Sequence, residues 1–228
     1  MIGIIGAMQI EIDGLRNLLE APASRTISGV EYTSGRLHGV DVVLAVCGIG
    51  KVFAAICAQT MVLSYPVEAV INTGVAGTLS PNIGIQDIAI ASDLVQHDMD
   101  ASAIGDPPGL LSGINVIHLP CQPRLVSLAE EIAAEQGFHT ETGTIASGDQ
   151  FVHTDGEKLR IRTAFGGIAA EMEGGSIAQV CYVNQVPCVV IRAISDDASG
   201  NSPADYNQFA ARAAERSIRL VSELVQRY

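Results

Sequence analysis

Basic residues are scarce in this chain. Lys and Arg number 13 against 25 Asp and Glu, a net charge of −12. That balance argues against a nucleic-acid backbone or an anionic membrane as the main partner, because both demand a basic surface. Aromatic residues are also few, at 4% with no Trp. No apolar run reaches the length of a membrane span: the segment after Phe53 is cut by Gln59, and the one around 187–195 by Arg192. The opening residues lack the basic flank of a secretory leader, so a cytoplasmic protein is expected. The cysteines Cys47, Cys57, Cys121, Cys181 and Cys188 are scattered and form no C-x-x-C pair. A disulfide framework and a cysteine–zinc site are both disfavoured, and small buried thiols are expected instead. Charge blocks, low-complexity linkers and internal repeats are missing too, so residues 1–228 read as one domain.

The residues that are present read as a packed α/β chain. Hydrophobic residues make up 48% and charged residues only 17%, which excludes intrinsic disorder. Short β-rich runs alternate with helical patterns. Strands are expected at 2–5, at 30–37 and 40–46 (a hairpin through His38-Gly39), at 69–73, 88–91, 116–119, 143–146, 167–170 and 187–194. Helices are expected at 8–20, 50–64, from about 123, at 155–163, 172–184 and from 203 to the end. Residues 98–113, with Asp106-Pro107-Pro108-Gly109, read as a long loop. Several strands are apolar on both faces, as in a central sheet covered by helices on each side.

The glycine-rich spots fail the usual nucleotide tests. Gly48-Ile49-Gly50-Lys51 has Ala45 and Val52 where a P-loop needs Gly and Ser or Thr. Gly3-Ile4-Ile5-Gly6 and Gly74-Val75-Ala76-Gly77 do not complete a dinucleotide fingerprint. What remains is glycine at strand ends, where a backbone can approach a ligand closely. His97-Asp98-Met99-Asp100 lacks a third nitrogen or sulfur ligand, so no metal is expected there and the carboxylates read as tying down their own loop. No G-x-S-x-G elbow is present.

Acidic residues in apolar company are more informative. Glu11 sits between Ile10 and Ile12 in a first helical turn. Glu171-Met172-Glu173 follows an apolar strand, and Asp196 ends another. Strand ends are where open α/β sheets bind ligands, and carboxylates there have their proton affinities pushed apart. Each carboxylate alone is also compatible with a helix-capping role.

Taken in order, these motifs resemble a known family. Gly3-Ile4-Ile5-Gly6-Ala7-Met8 with Glu11, Gly48-Ile49-Gly50-Lys51, Asn72-Thr73-Gly74-Val75-Ala76-Gly77, Ser147-Gly148-Asp149-Gln150-Phe151, Glu171-Met172-Glu173 and Arg192-Ala193-Ile194-Ser195-Asp196 are similar to the 5′-methylthioadenosine/S-adenosylhomocysteine nucleosidases. The likeness spans essentially the whole chain. It implies a nucleoside phosphorylase-like three-layer αβα sandwich with a central mixed sheet, a homodimer, and hydrolysis of an adenine N-ribosidic bond in methionine salvage and the activated-methyl cycle, with no cofactor. By position, Asp196 would be the general acid at adenine N7, with Ser195 orienting it, and Glu11 the base for water. Glu173 would bind the ribose hydroxyls, and Arg192 would help hold water and carboxylates. Met172 would pack beneath the sugar, Phe151 would stack on adenine, and the backbone of Val152 would read its edge. Met8, Ile49 and Tyr206 would wall the sugar and its 5′ substituent.

The pattern departs in two places. Val75 stands where the family often has Ser. The loop that the family sends into its partner's 5′ pocket usually carries aromatics, but here reads Ala103-Ile104-Gly105-Asp106-Pro107-Pro108, so Ile104 and Pro108 would complete that pocket. A changed pocket could favour S-adenosylhomocysteine, 5′-deoxyadenosine or a futalosine-type nucleoside. A phosphate-dependent purine nucleoside phosphorylase is the nearest rival. It would need clustered Arg or Lys, whereas only Arg192 falls in a site motif and Glu11 would repel the anion. A non-catalytic nucleoside-binding protein would not need Glu11, Glu173 and Asp196 together.

Overall fold

The computed structural model describes residues 1–196 and 203–228, with side chains placed for 1–196 and 209–228. Among these, the strands in chain order are β1 (Ile2–Gly6), β2 (Glu20–Ile27), β3 (Val30–Leu37), β4 (Val40–Val46), β5 (Ala69–Thr78), β6 (Ile88–Gln96), β7 (Leu119–Pro120), β8 (Thr140–Ser147), β9 (Gly167–Glu171) and β10 (Cys188–Asp196). The helices are α1 (Gln9–Arg16), α2 (Lys51–Ser64), α3 (Pro123–Glu135), α4 (Asp155–Phe165), α5 (Gly174–Asn184) and α6 (Pro203–Arg227).

All strands join one mixed sheet. β1 runs parallel to β4 on one side and β5 on the other, and β3 and β2 extend the sheet antiparallel to its edge. β5 is the pivot. Its first half pairs in parallel with β1 and Val70–Gly77 in parallel with β10, while Gly77 and Thr78 at its end pair antiparallel with Ala170 and Ala169 of β9. From β10 the sheet continues through β6 and β8 to β9, so this half curls back onto β5. Every residue of β1 and β9 is buried, as two-sided coverage requires. Helix α6 packs with α1 and α3, and α2 packs with α5, giving a helical layer for each face. The three-layer architecture with a mixed sheet is the one expected.

Several boundaries differ from the sequence expectation, for physical reasons. The pattern at 8–20 is helical only through Arg16, and the chain then enters β2, which was not expected. That strand is exposed along nearly its whole length and carries Pro22 and a register shift between Glu20 and Ala23. An edge strand of this kind has no alternating apolar signature. β5 and β6 run past Gly74 and Ala91, to Thr78 and Gln96. The short strand expected at 116–119 is instead β7, with Val116 making only an isolated bridge to Leu111. In the long loop, Ser102–Ile104 forms one 3-10 turn.

Candidate active site

The carboxyl-terminal ends of five strands converge on a cleft of about 620 Å³. Ala7 and Met8 follow β1, Val75–Gly77 lie in β5, and Gln150–Val152 follow β8. Ala170–Glu173 come from the end of β9, and Ser195 and Asp196 end β10. Ile49 closes another side. Strand ends are where such sheets bind ligands.

Glu11 is buried in the first turn of α1. Its Oε2 accepts hydrogen bonds from the backbone N–H of Ala7 at 2.7 Å and Met8 at 2.9 Å, and its Oε1 from Val75 N–H at 3.1 Å. Burial raises its proton affinity, while Arg192 and these three N–H donors pull the other way without cancelling the effect. The result is a carboxylate held rigidly yet basic enough to take a proton.

Arg192 lies behind the cleft wall, 1% exposed. Its Nη2 donates to Asn72 Oδ1 at 2.7 Å and to Glu171, and it lies 3.7 Å from Glu173 Oε2. Asn72 is itself fixed by donating to Ile5 O at 2.8 Å. Glu171 also accepts from Ser147 Oγ and from the backbone N–H of Glu173 and Gly174. Burial pushes Glu171 up, but Arg192 and these donors outweigh it and hold the carboxyl below the usual range. Glu173 has the opposite fate. Burial and the neighbouring Glu171 charge raise it to about 7 against the pull of Arg192, although its Oε1 accepts from Gly50 N–H at 2.8 Å.

Asp196 receives Ser195 Oγ on its Oδ1 at 3.2 Å. Two glycines make room for these groups. A Cβ on Gly74 would collide with Arg192 Nη1 and stand 2.8 Å from Glu11 Oε1, and one on Gly77 would stand 2.7 Å from Asp196 Oδ2. Phe151 is 55% exposed at the cleft mouth, while Val152 is buried behind it.

The structure thus brings Glu11, Glu173, Asp196, Ser195, Met8, Ile49, Val75, Met172, Phe151 and Val152 around one cleft, with Arg192 behind it rather than in its wall. Ile104 and Pro108 do not line the cleft of their own chain, and both are exposed. Tyr206 lies outside the residues whose side chains are described. The sequence reading names Glu171, Asn72 and Ser147 within its motifs but gives them no role; Glu171 and Asn72 anchor Arg192, and Ser147 holds Glu171. The same reading passed over the tie made by Lys51 Nζ, which donates to Asp98 at 2.6 Å while Asp98 accepts from Asp149 N–H at 2.8 Å. Asp98 therefore braces the 149–152 segment rather than its own loop alone. The available signal was polar residues set among apolar ones at strand ends: Asn72 and Thr73 within an apolar run, and Glu171 directly after Ala169-Ala170.

This fold and cleft define one broad class: the family model of the phosphorylase superfamily matches residues 1–226. A 5′-methylthioadenosine/S-adenosylhomocysteine nucleosidase of Shewanella sediminis is 38% identical over 99% of this chain and 98% of its own length. An aminodeoxyfutalosine nucleosidase of Helicobacter pylori is 36% identical over 98% of this chain and 97% of its own. A mutant nucleosidase of Helicobacter pylori, solved with 5′-methylthioadenosine in its active site, superposes with a TM-score of 0.95 at 35% identity, covering 100% of this chain and 98% of that one. The chain belongs to the 5′-methylthioadenosine/S-adenosylhomocysteine nucleosidase family.

Proposed function

We propose that this protein hydrolyses the N-ribosidic bond of 5′-methylthioadenosine and S-adenosylhomocysteine, releasing adenine and a 5-substituted ribose. Asp196 donates its proton to adenine N7, so the base leaves neutral as the carbon–nitrogen electron pair withdraws into the ring. Glu11 takes a proton from the water whose oxygen bonds to the sugar's anomeric carbon. Glu173 accepts hydrogen bonds from the ribose hydroxyls, and its charge faces the developing oxocarbenium ion. Phe151 covers the purine, Val152 offers backbone groups at its edge, and Met172 packs beneath the sugar. Arg192, neutralising Glu171 and part of Glu173, keeps this many carboxylates compatible with one buried site.

One observation carries the choice of nucleophile. Among the described residues, the cleft wall holds Glu11, Glu171, Glu173 and Asp196 and no Lys or Arg. Phosphate would meet carboxylates there with no Lys or Arg in the lining to bind it, whereas water needs no such partner.

We further infer a homodimer. Helix α2 buries Ala54, Cys57, Ala58 and Met61 against the molecule, yet exposes Val52, Phe53, Ile56 and Leu63 on its other side. Tyr182 and Val183 of the neighbouring α5 are exposed as well. A helix apolar all round calls for cover on both sides. The exposed Ile104 and Pro108 are then available to a partner's 5′ pocket.

The test is free-base release from methylthioadenosine, S-adenosylhomocysteine, 5′-deoxyadenosine, adenosine and an aminodeoxyfutalosine-type nucleoside, with and without phosphate. Adenine release from the first two, independent of phosphate, is expected. Glu11→Gln and Asp196→Asn should each lose about 10²–10⁴-fold in kcat. Phosphate-dependent release with ribose 1-phosphate as product, or full activity of Glu11→Gln, overturns the proposal.

A further inference from the structure

Lys158 has no part in the site as described so far, yet it is the most conspicuous charge beside it. It projects from α4, directly after the segment that would hold the purine, and is buried with no hydrogen-bond partner for its Nζ among the described residues. Its face of the helix also carries Ile161 and Phe165, which pack in an apolar cluster with Val152 and Ala170 at the back of the cleft. A methionine or leucine would fill that position without taking a charge out of water, and lysine is almost never fully buried without a partner. The nearest acid is Asp196, whose Oδ2 lies 4.0 Å from Nζ.

Among the described residues, the other groups around Asp196 supply no further cation. Ser195 Oγ approaches Oδ1 from β10, β5 offers only the bare backbone of Gly77, and Ala170 stands on the β9 side. Glu11, Glu171 and Glu173 share the cleft as acids, and Arg192 is committed to Glu171, Asn72 and Glu173. Among the described residues, Lys158 is the cation set against Asp196.

We propose that Lys158 is a positioning residue for Asp196: its fixed ammonium holds Oδ2 toward the purine and makes the carboxyl a stronger acid toward the leaving base. The inference rests on the reading of Asp196 as the general acid. In the step concerned, the proton passes from the Asp196 carboxyl to the ring nitrogen as the carbon–nitrogen bond breaks. The carboxylate left behind is stabilised by the neighbouring Lys158 ammonium. Solvent then returns a proton to Asp196 once adenine has left.

The experiment measures kcat and kcat/KM for methylthioadenosine across pH in full-length Lys158→Met, Lys158→Arg and Asp196→Asn enzymes. Removing a cation at this distance raises a carboxyl's pKa by about 1–2 units. The basic limb of kcat/KM should therefore move to higher pH by that amount in Lys158→Met. The plateau of kcat should fall about three- to tenfold, because the acid is weaker. Lys158→Arg should keep the parent limb. Met is close to Lys in shape and removes a buried charge, so the variant is expected to fold; should it not, Lys158→Gln supplies the same comparison. If Asp196→Asn is dead while Lys158→Met shows only a lower melting temperature and an unmoved limb, Lys158 is structural and the proposal is overturned. If Asp196→Asn retains adenine release, the acid assignment itself falls, and the role of Lys158 with it.

Discussion

Glu11, Glu171 and Glu173 crowd one buried guanidinium, and they divide its charge unequally. Glu171 receives the ion pair and three further donors, whereas Glu173 has Arg192 only at 3.7 Å and one backbone N–H. Glu171 is thus held as the anion, and its charge, added to burial, drives Glu173 up to about 7. A carboxyl whose folded-state value lies above its unfolded 4.5 keeps the folded protein better protonated than the unfolded chain between those values. Stability from this group is complete below about pH 4.5 and is lost as pH rises through about 7. Glu173→Gln removes that penalty and can still accept the Gly50 N–H. The variant should melt above the parent at pH 8, with the gap closing toward pH 4.5 and below. A gap of constant size across that range would mean Glu173 titrates normally. The same variant should lose adenine release at every pH, since a neutral amide cannot face a developing cation.

At the scale of elements, the glycines of β5 decide whether the site can form. The strand was legible in the sequence through Thr73, where an apolar run announces a buried strand, but not beyond it. Gly74-Val75-Ala76-Gly77 has the composition of a turn and is nevertheless strand, because its missing side chains admit Arg192, Glu11 and Asp196 from neighbouring elements. Gly74→Ala would press on Arg192 and Glu11 together. A shift of about 1 Å in a catalytic group costs on the order of 10²-fold, and overpacking costs about 1–3 kcal/mol of stability. We expect at least that loss in kcat/KM with a modest fall in melting temperature, while Gly84→Ala, where a Cβ meets nothing within 4 Å, leaves both near parent values. Parent-like activity in Gly74→Ala would show that Arg192 can give way without consequence. The carboxylates at strand and helix ends were readable because acid among apolar residues is unusual. The role of Glu171 and Asn72 was not, because their task is to hold Arg192, and a pairing 21 or 120 residues away leaves no mark in local pattern. β2 escaped for a different reason, since an exposed edge carries no burial periodicity.

The whole molecule faces a conflict between its charge and its apolar helix. Each chain carries −12, so two copies repel at long range, yet Val52, Phe53, Ile56 and Leu63 of α2 leave an apolar face open. Burial of that face must outweigh the repulsion if the dimer forms. Salt screens charges separated by more than about 10 Å at 0.1 M while leaving apolar burial largely intact. Dimerisation should therefore strengthen from low to moderate salt, the opposite of an interface held by surface ion pairs. Placing acid on the apolar face adds local repulsion and desolvation to the net charge. Ile56→Glu with Leu63→Glu, both on the exposed side of α2, should sediment as a monomer at micromolar concentration while keeping the parent far-ultraviolet circular dichroism. If Ile104 and Pro108 complete a partner's 5′ pocket, the monomer should also show a raised KM for methylthioadenosine. The KM for adenosine, whose 5′ group is small, should change far less. A double variant that still sediments as a dimer would remove α2 from the interface, and a monomer with equal losses on both substrates would separate the loop from the 5′ group.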